Sequence, residues 1–174
     1  MNTTQKVIKS FAICLAILII ASIINGAFHL INSFLITDND VTINETYLND
    51  IRNIKIDVGT TDMIIKKGDT LSIAAENVSK KFAIKEEENT LTIKEKKLTF
   101  FGNKKSPKTT ITIPTSLTDL SIDIGAGKLE ISEVTTDKFS LDQGAGKVTI
   151  TNLLSTKTKV DGGAGELIIT DSTL

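Results

Sequence analysis

Three stretches of sequence decide the fold: LSIDIGAGKLEISEV at residues 120–134, FSLDQGAGKVTITNL at 139–153 and TKVDGGAGELIITDS at 158–172. Each contains a Gly-Ala-Gly triplet, and successive triplets are 19 residues apart. When the triplets are aligned, four flanking positions keep one chemical character: Asp123, Asp142 and Asp161; Ile122, Leu141 and Val160; Leu129, Val148 and Leu167; Ile131, Ile150 and Ile169. Internal periodicity of this kind predicts a repeat architecture.

Each repeat is predicted to be a pair of β-strands joined by a sharp turn. Apolar residues alternate with polar ones before and after the triplet, which is typical of strands with one buried face. The alternation changes parity across the triplet, so the chain must turn there, and glycine tolerates the positive φ values of tight turns. We therefore assign structural turn glycines at Gly59, Gly125, Gly127, Gly144, Gly146, Gly163 and Gly165. The preceding aspartates form a structural column of Asp57, Asp123, Asp142 and Asp161.

Two topologies are compatible with such a repeat. A hairpin meander would pair the two strands of one repeat antiparallel, whereas a solenoid would stack equivalent strands in parallel, about 4.8 Å apart. In a solenoid, like residues lie directly above like residues, and the matching columns favour this arrangement. The stacked aspartates are the main objection because like charges repel, but the cost is small if the carboxylates are exposed.

A weaker copy of the repeat lies upstream. In IKIDVGTTDMII at residues 54–65, Asp57 and Gly59 take the places of Asp123 and Gly125. Four further alternating segments, TLSIAA, KFAIKE, TLTIKE and TTITIP, separate it from the Gly-Ala-Gly repeats. Their spacing predicts an all-β, parallel β-solenoid (β-helix-like) domain of about six coils across residues 51–174.

The N-terminal region is predicted to be a membrane anchor. Residues 10–37 contain no Lys, Arg, Asp or Glu, and about 20 apolar residues suffice for a helix to cross a bilayer. We predict a transmembrane helix at residues 10–36, between a cytoplasmic segment at 1–9 and a polar stalk at 37–50. Lys6 and Lys9 precede the helix, so the positive-inside rule places the repeat domain outside the cell. A cleaved signal peptide is the alternative, although the residues before Ala27 fit a cleavage site poorly.

Two features interrupt the regular array. KEKKLTFFGNKKSPK at residues 94–108 is either a long loop whose phenylalanines cap the core or a surface-contact loop for an anionic surface. Its candidate contact residues are Lys96, Lys97, Phe100, Phe101, Lys104 and Lys105. The last repeat runs to Leu174 without the polar capping repeat that usually ends a solenoid. Either further chain follows, or another element covers this exposed edge.

The sequence argues against catalysis and against bound cofactors. Cys14, His29 and Arg52 are each the single residue of their type, which excludes a Cys-based zinc cluster and most familiar catalytic arrangements. Gly-Ala-Gly-Lys lacks the spacing and the Ser/Thr of a Walker loop, and one carboxylate per turn is too few for Ca²⁺. A net charge of -1 gives no indication of nucleic-acid binding. We expect no catalytic residues, no metal, no cofactor and no small-molecule substrate.

The chain resembles the bacterial putative-adhesin family of β-strand-repeat proteins, domain of unknown function 4097. The resemblance covers residues 51–174 and is carried by the N-terminal apolar segment, the element at 54–65 and the Gly-Ala-Gly repeats. It implies a membrane-anchored, adhesin-like β-solenoid displayed outside the membrane, with no established catalytic residues. The same resemblance implies a link to envelope-stress response systems, in which some members take part.

Together these observations predict a non-enzymatic interaction module of the cell surface or envelope. Its expected partners are the membrane, through the single-pass anchor, and a cell-envelope polymer or another membrane protein. A regulatory or accessory subunit of an envelope-stress sensor or transporter is the alternative function. A glycan-cleaving β-helix enzyme is less favoured, because an aspartate repeated in every coil suits structure better than catalysis.

Overall fold

The computed structural model describes residues 41–95, 106–114 and 116–174. This part of the chain contains nine β-strands and no helix, which confirms the predicted all-β class. The strands are β1 (Val41–Tyr47), β2 (Asn53–Lys67), β3 (Leu71–Val78), β4 (Phe82–Glu87), β5 (Thr90–Glu95), β6 (Lys108–Ile113), β7 (Leu117–Ser132), β8 (Thr135–Thr151) and β9 (Leu154–Thr170). No helix able to span a membrane occurs among these residues, and the anchor predicted at 10–36 lies outside them.

The three Gly-Ala-Gly repeats form β7, β8 and β9, which stack in parallel in that order. Each residue lies beside its counterpart in the next repeat: Ile131 beside Ile150, and Ile150 beside Ile169. Like residues therefore stand in columns that run perpendicular to the strands. The repeats thus have the solenoid arrangement and not the hairpin meander.

Each repeat strand bends at its Gly-Ala-Gly triplet, which divides the strand into two arms. In β7 we call residues 117–124 the first arm and residues 128–132 the second arm, and we use the same names for the equivalent parts of β2, β8 and β9. From Leu120 onward, the buried side chains of β7 alternate along each arm and change parity at the bend; they are Leu120, Ile122, Ile124, Leu129 and Ile131. Leu117, at the start of the strand, is also buried. Both arms therefore turn their apolar sides toward one shared core.

A second turn, which no glycine marks, returns the chain to the next coil. Glu133, Asn152 and Asp171 lie at this turn, and their φ values are 56°, 54° and 49°. A residue in this left-handed region reverses the chain direction sharply, and Asn and Asp tolerate it better than most side chains do. One non-glycine residue per repeat therefore closes each coil.

β2 extends the stack on the other side of β7. It pairs with β7 in parallel, with Asp57 beside Asp123, so the upstream copy of the repeat is a coil of the same kind. On its far side, the first arm of β2 pairs in parallel with β5 and the second arm pairs in parallel with β6. Two short strands thus replace one bent strand in this layer.

The next layer differs from the predicted parallel coils. β3 pairs antiparallel with β6, and β4 pairs antiparallel with β5, so this layer runs against the rest of the stack. β4 and β5 are separated only by Glu88 and Asn89, and so short a link joins antiparallel neighbours. With β3 and β4 counted as one layer and β5 and β6 as another, the described part has six layers from β3 to β9, and β1 adds a partial seventh beyond β3.

The predicted stalk at 37–50 needs a correction, because residues 41–47 belong to the domain. They form β1, which pairs antiparallel with β3. Val41, Ile43 and Tyr47 of this strand pack against the core. The strand signal in VTINETY is short and is followed by polar residues, which made the segment look irregular. In the described part of the chain, the β domain therefore begins at Val41 and not at Ile51.

Candidate functional site

The turn glycines of successive coils lie directly above one another. A Cβ atom on Gly144 would overlap the carbonyl oxygen of Gly125, and a Cβ atom on Gly163 would overlap that of Gly144. Gly125 meets the carbonyl oxygen of Gly59 in the same way. The backbones approach so closely at this corner that no side chain fits between the coils.

The last residue of the triplet forms a second glycine column. Gly127 and Gly146 have φ values of 120° and 117°, which side chains of L-residues rarely allow. A Cβ atom on Gly146 would overlap the carbonyl oxygen of Gly127, and one on Gly165 would lie 2.6 Å from that of Gly146. Gly59 and these glycines are therefore corner residues, and they offer a ligand no side-chain group.

The aspartate column runs along the outer side of the first arms, next to this corner. The strand register places four aspartates side by side on neighbouring strands: Asp57, Asp123, Asp142 and Asp161. All four residues are exposed, which lets water and salt screen their mutual repulsion. Lys159 forms an ion pair with Asp161 at 2.8 Å, and this carboxylate raises the pKa of the Lys159 ammonium. We call the outward side of the first arms the aspartate face.

The outward side of the second arms, continued by β6, β3 and β1 in the same sheet, carries a column of hydroxyl groups. The strand register places seven residues side by side in this column. In order across the sheet from β1 to β9 they are Thr46, Ser72, Thr112, Lys66, Ser132, Thr151 and Thr170. The Oγ1 atoms of Thr151 and Thr170 are 3.2 Å apart and share a hydrogen bond. Because adjacent strands lie about 4.8 Å apart, this column offers a hydroxyl at nearly every strand step. We call the outward side of the second arms the hydroxyl face.

A column of charged residues lies on the same face, separated from the hydroxyl column by one mixed column that includes Ile64 and Glu130. In strand order from β3 to β9 it contains Glu76, Lys108, Asp62, Lys128, Lys147 and Glu166. Lys147 forms an ion pair with Glu166 at 3.1 Å, and Asp62 accepts a hydrogen bond from the backbone N–H of Lys128 at 3.3 Å. Opposite charges meet at most steps, which stabilises cross-strand pairs. The charges in this column cancel, so the hydroxyl face is polar but has little net charge.

The candidate surface-contact loop lies outside the described residues. Lys96, Lys97, Phe100, Phe101, Lys104 and Lys105 all fall within residues 96–105. The strands on either side of it are described: β5 ends at Glu95 and β6 begins at Lys108. The prediction for this loop therefore stays a prediction.

The described residues contain no group of three or more His, Cys, Asp or Glu side chains that could hold a metal ion. A groove of about 330 Å³ lies where β1 leads into β2, and Asp50 and Asp69 line it together with apolar residues. Asp50 forms an ion pair with Arg52 at 2.8 Å. The acid and base of glycan hydrolysis require two carboxyl groups placed on either side of a bond. Of the two carboxylates in this groove, that of Asp50 is already paired with arginine.

Glu95, at the end of β5, is a buried acid that our sequence analysis missed. The alternation along β5 could have revealed it. Leu91 and Ile93 point into the core, and Glu95 comes two residues later, on the same side of the strand. Glu95 is 4% exposed; its Oε1 atom accepts a hydrogen bond from the backbone N–H of Ser79 at 2.9 Å, and its Oε2 atom has no partner among the described residues. Burial raises the pKa of Glu95, and the hydrogen bond from Ser79 partly opposes this effect.

Replacement of Glu95 by glutamine is expected to stabilise the domain at neutral pH by about 1 kcal/mol or more, because it removes a buried charge and keeps the acceptor for Ser79. A raised pKa in the folded state means that the native protein holds the proton more tightly than the unfolded chain does. The wild-type protein should therefore lose stability as the pH rises through the folded-state pKa of Glu95. The measurement is the midpoint of urea unfolding from pH 4 to pH 8.

The matched control for this prediction is Glu130→Gln, which changes an exposed glutamate on the hydroxyl face. The control variant should follow the pH profile of the wild type, whereas Glu95→Gln should flatten it. Identical pH profiles for Glu95→Gln and the wild type would show that Glu95 does not titrate as a buried group.

A stack of bent β-coils with glycine corners and two outward faces defines a β-solenoid-like repeat domain. The model of the family described as Toastrack DUF4097 matches residues 51–174. The chain belongs to this family, which confirms the resemblance seen in its sequence. No curated protein matches the chain.

Solved structures to which the chain shows similarity include the "putative cell adhesion protein" of Clostridium sporogenes ATCC 15579, with a TM-score of 0.46 and 8% sequence identity over 76% of this chain and 100% of that chain. The "putative adhesin" of Parabacteroides distasonis ATCC 8503 has a TM-score of 0.38 and 16% identity over 78% of this chain and 67% of that chain. The "putative adhesin (BF0245)" of Bacteroides fragilis NCTC 9343 has a TM-score of 0.32 and 15% identity over 78% of this chain and 99% of that chain.

Proposed function

We propose that this protein is a membrane-anchored, extracytoplasmic module that binds an extended cell-envelope glycan without cleaving it, as an adhesin does. The observation that carries this proposal is the hydroxyl face. Its hydroxyl column crosses seven strands, from Thr46 on β1 to Thr170 on β9, with Lys66 as its one interruption. A surface with a regular repeat suits a ligand that also has a regular repeat.

The chemistry of this face favours a glycan over a polyanion. A serine or threonine hydroxyl both donates and accepts hydrogen bonds, as the hydroxyl groups of a sugar chain do. The charged column on the same face contains three acidic and three basic residues, so it provides no basic stripe for a nucleic acid. Each contact is weak, but a long polymer makes many of them at once.

The N-terminal sequence supports external display. The uncharged residues 10–36 are long enough for one membrane crossing, and Lys6 and Lys9 favour a cytoplasmic N-terminus. In this arrangement the β domain, which begins at Val41 in the described part, follows the anchor in sequence and lies on the envelope side of the membrane.

The experiment measures co-sedimentation of the full chain, purified in detergent, with insoluble peptidoglycan sacculi. The test variant is Ser132→Ala with Thr151→Ala, which removes two adjacent hydroxyls of the hydroxyl face. The matched control is Ser121→Ala with Ser140→Ala, which removes two adjacent hydroxyls from the aspartate face of the same two strands. Because each hydrogen bond contributes about 1 kcal/mol, the loss of two should weaken binding by the test variant roughly thirtyfold, and the control should bind like the wild type.

Equal binding by both variants would exclude the hydroxyl face as the contact surface. Failure of the wild-type protein to sediment with sacculi would overturn the proposed glycan partner. Release of the full chain from membranes by an alkaline wash would contradict the single-pass anchor.

A further inference from the structure

The second arm of β9 presents apolar residues that the equivalent arms of the inner coils bury. Leu129 and Ile131 on β7 are each 1% exposed, whereas their counterparts on β9, Leu167 and Ile169, are 41% and 36% exposed. In the described part of the chain, β9 pairs with β8 on one side and this arm has no strand on its other side. An open edge with exposed apolar residues favours pairing with another strand.

The start of the first arm of β9 is covered by residues near the end of the sequence. Thr173 forms a parallel bridge with Leu154 at the start of β9. Its N–H donates to the carbonyl oxygen of Leu153 at 2.9 Å, and its carbonyl oxygen accepts a hydrogen bond from the N–H of Ser155 at 2.8 Å. The last residues of the chain thus lie over the beginning of this strand. Along the open edge beyond this point, residues 166–170 carry the exposed large apolar side chains Leu167 and Ile169.

We infer that this edge pairs with the same edge of a second copy, antiparallel and with Ile168 on the twofold axis. The sequence Glu-Leu-Ile-Ile-Thr at 166–170 is complementary to itself in this register. Leu167 of one copy faces Ile169 of the other on the core side, and Ile168 faces Ile168 on the outer side. Glu166 faces Thr170, so no like charges oppose each other.

Other arrangements of two copies are less favourable. A parallel pairing in register would place Glu166 beside Glu166 of the second copy, and directly opposed like charges destabilise a sheet. The antiparallel arrangement uses one patch on both copies, as the commonest symmetric dimers do. The pairing joins only five residues of each copy, which is below the size of a standard interface, so the dimer should be weak and depend on concentration. This association is separate from the proposed glycan binding.

Disulfide trapping tests this register directly. Residues that face each other across an antiparallel pair have Cα atoms about 4.5–5.5 Å apart, and a disulfide bridges this distance. In the full chain with Cys14→Ser, which removes the single native cysteine, Ile168→Cys should give a covalent dimer under mild oxidation. The matched control is Thr149→Cys, which lies beside Ile168 on the inner strand β8 and on the same face.

A second variant tests the association without a cross-link. Ile168→Lys would place two ammonium groups on the twofold axis, and it should reduce the dimer fraction at least tenfold in light scattering of the detergent-solubilised full chain. Thr149→Lys on β8 should leave the dimer fraction unchanged. Equal trapping of Ile168→Cys and Thr149→Cys, a monomer at all concentrations, or open-ended oligomers in place of dimers would each overturn the inference.

Discussion

Replacement of Ile150 by aspartate is expected to unfold the repeat domain. Ile150 is fully buried, with 0% exposure, on the second arm of β8 between Ile131 and Ile169. Truncating such a side chain costs about 2–5 kcal/mol, and an unpaired buried carboxylate adds a further large penalty. The whole stability of a domain is about 5–15 kcal/mol, so little or none should remain. Circular dichroism during thermal unfolding measures this loss.

The control for this prediction is Thr149→Asp, one residue earlier on the same arm. Thr149 points to the hydroxyl face, where an added carboxylate stays in water. This variant should change the unfolding free energy by less than about 1 kcal/mol. A cooperative transition at the wild-type midpoint in Ile150→Asp would show that this column does not face the core.

The stacking of β7, β8 and β9 could be predicted because two local signals agree. Alternation of apolar and polar residues identifies strands, and the change of parity at the triplets identifies the bend. The columns then fix the register, since shifting β8 by one residue would turn Ile150 outward and Thr149 inward. The register could be read from the sequence itself, because the residues in each of these pairings are 19 positions apart.

The direction of β3 and β4 could not be predicted from the same signals. An alternating segment such as TLSIAA reads the same in both chain directions, so parity gives the buried side but not the direction of the strand. The place of β2 between β6 and β7 is likewise set by pairings between distant residues, such as Asp57 with Asp123. No local pattern records such a contact.

The candidate surfaces likewise divide into those that the sequence predicts and one that it does not. The glycine corner and the aspartate column could be located from the triplets, because each coil repeats them. The hydroxyl face could not, since Thr46, Ser72 and Thr112 come from strands that pair antiparallel and far apart in sequence. Only the observed register brings these hydroxyls into line with those of Ser132 and Thr151 on the repeats.

Replacement of Gly146 by alanine is expected to lower the free energy of unfolding by about 2–4 kcal/mol. Its φ of 117° costs a non-glycine residue about 1–3 kcal/mol. The new Cβ atom would also overlap the carbonyl oxygen of Gly127, so β8 would have to move away from β7 and strain their hydrogen bonds. Urea unfolding of the full chain measures the change.

Two other glycines of the same region separate the causes of this loss. A Cβ atom on Gly162 would meet no atom within 4 Å, so Gly162→Ala should be neutral or slightly stabilising, because alanine restricts the unfolded chain. A Cβ atom on Gly165 would meet the Nε2 atom of Gln143 at 2.5 Å, a side-chain end that can move, and the backbone of Gly146. The loss in unfolding free energy for Gly165→Ala should therefore lie between those for Gly146→Ala and Gly162→Ala. Equal losses at all three positions would mean that close packing of the coils does not require glycine at this corner.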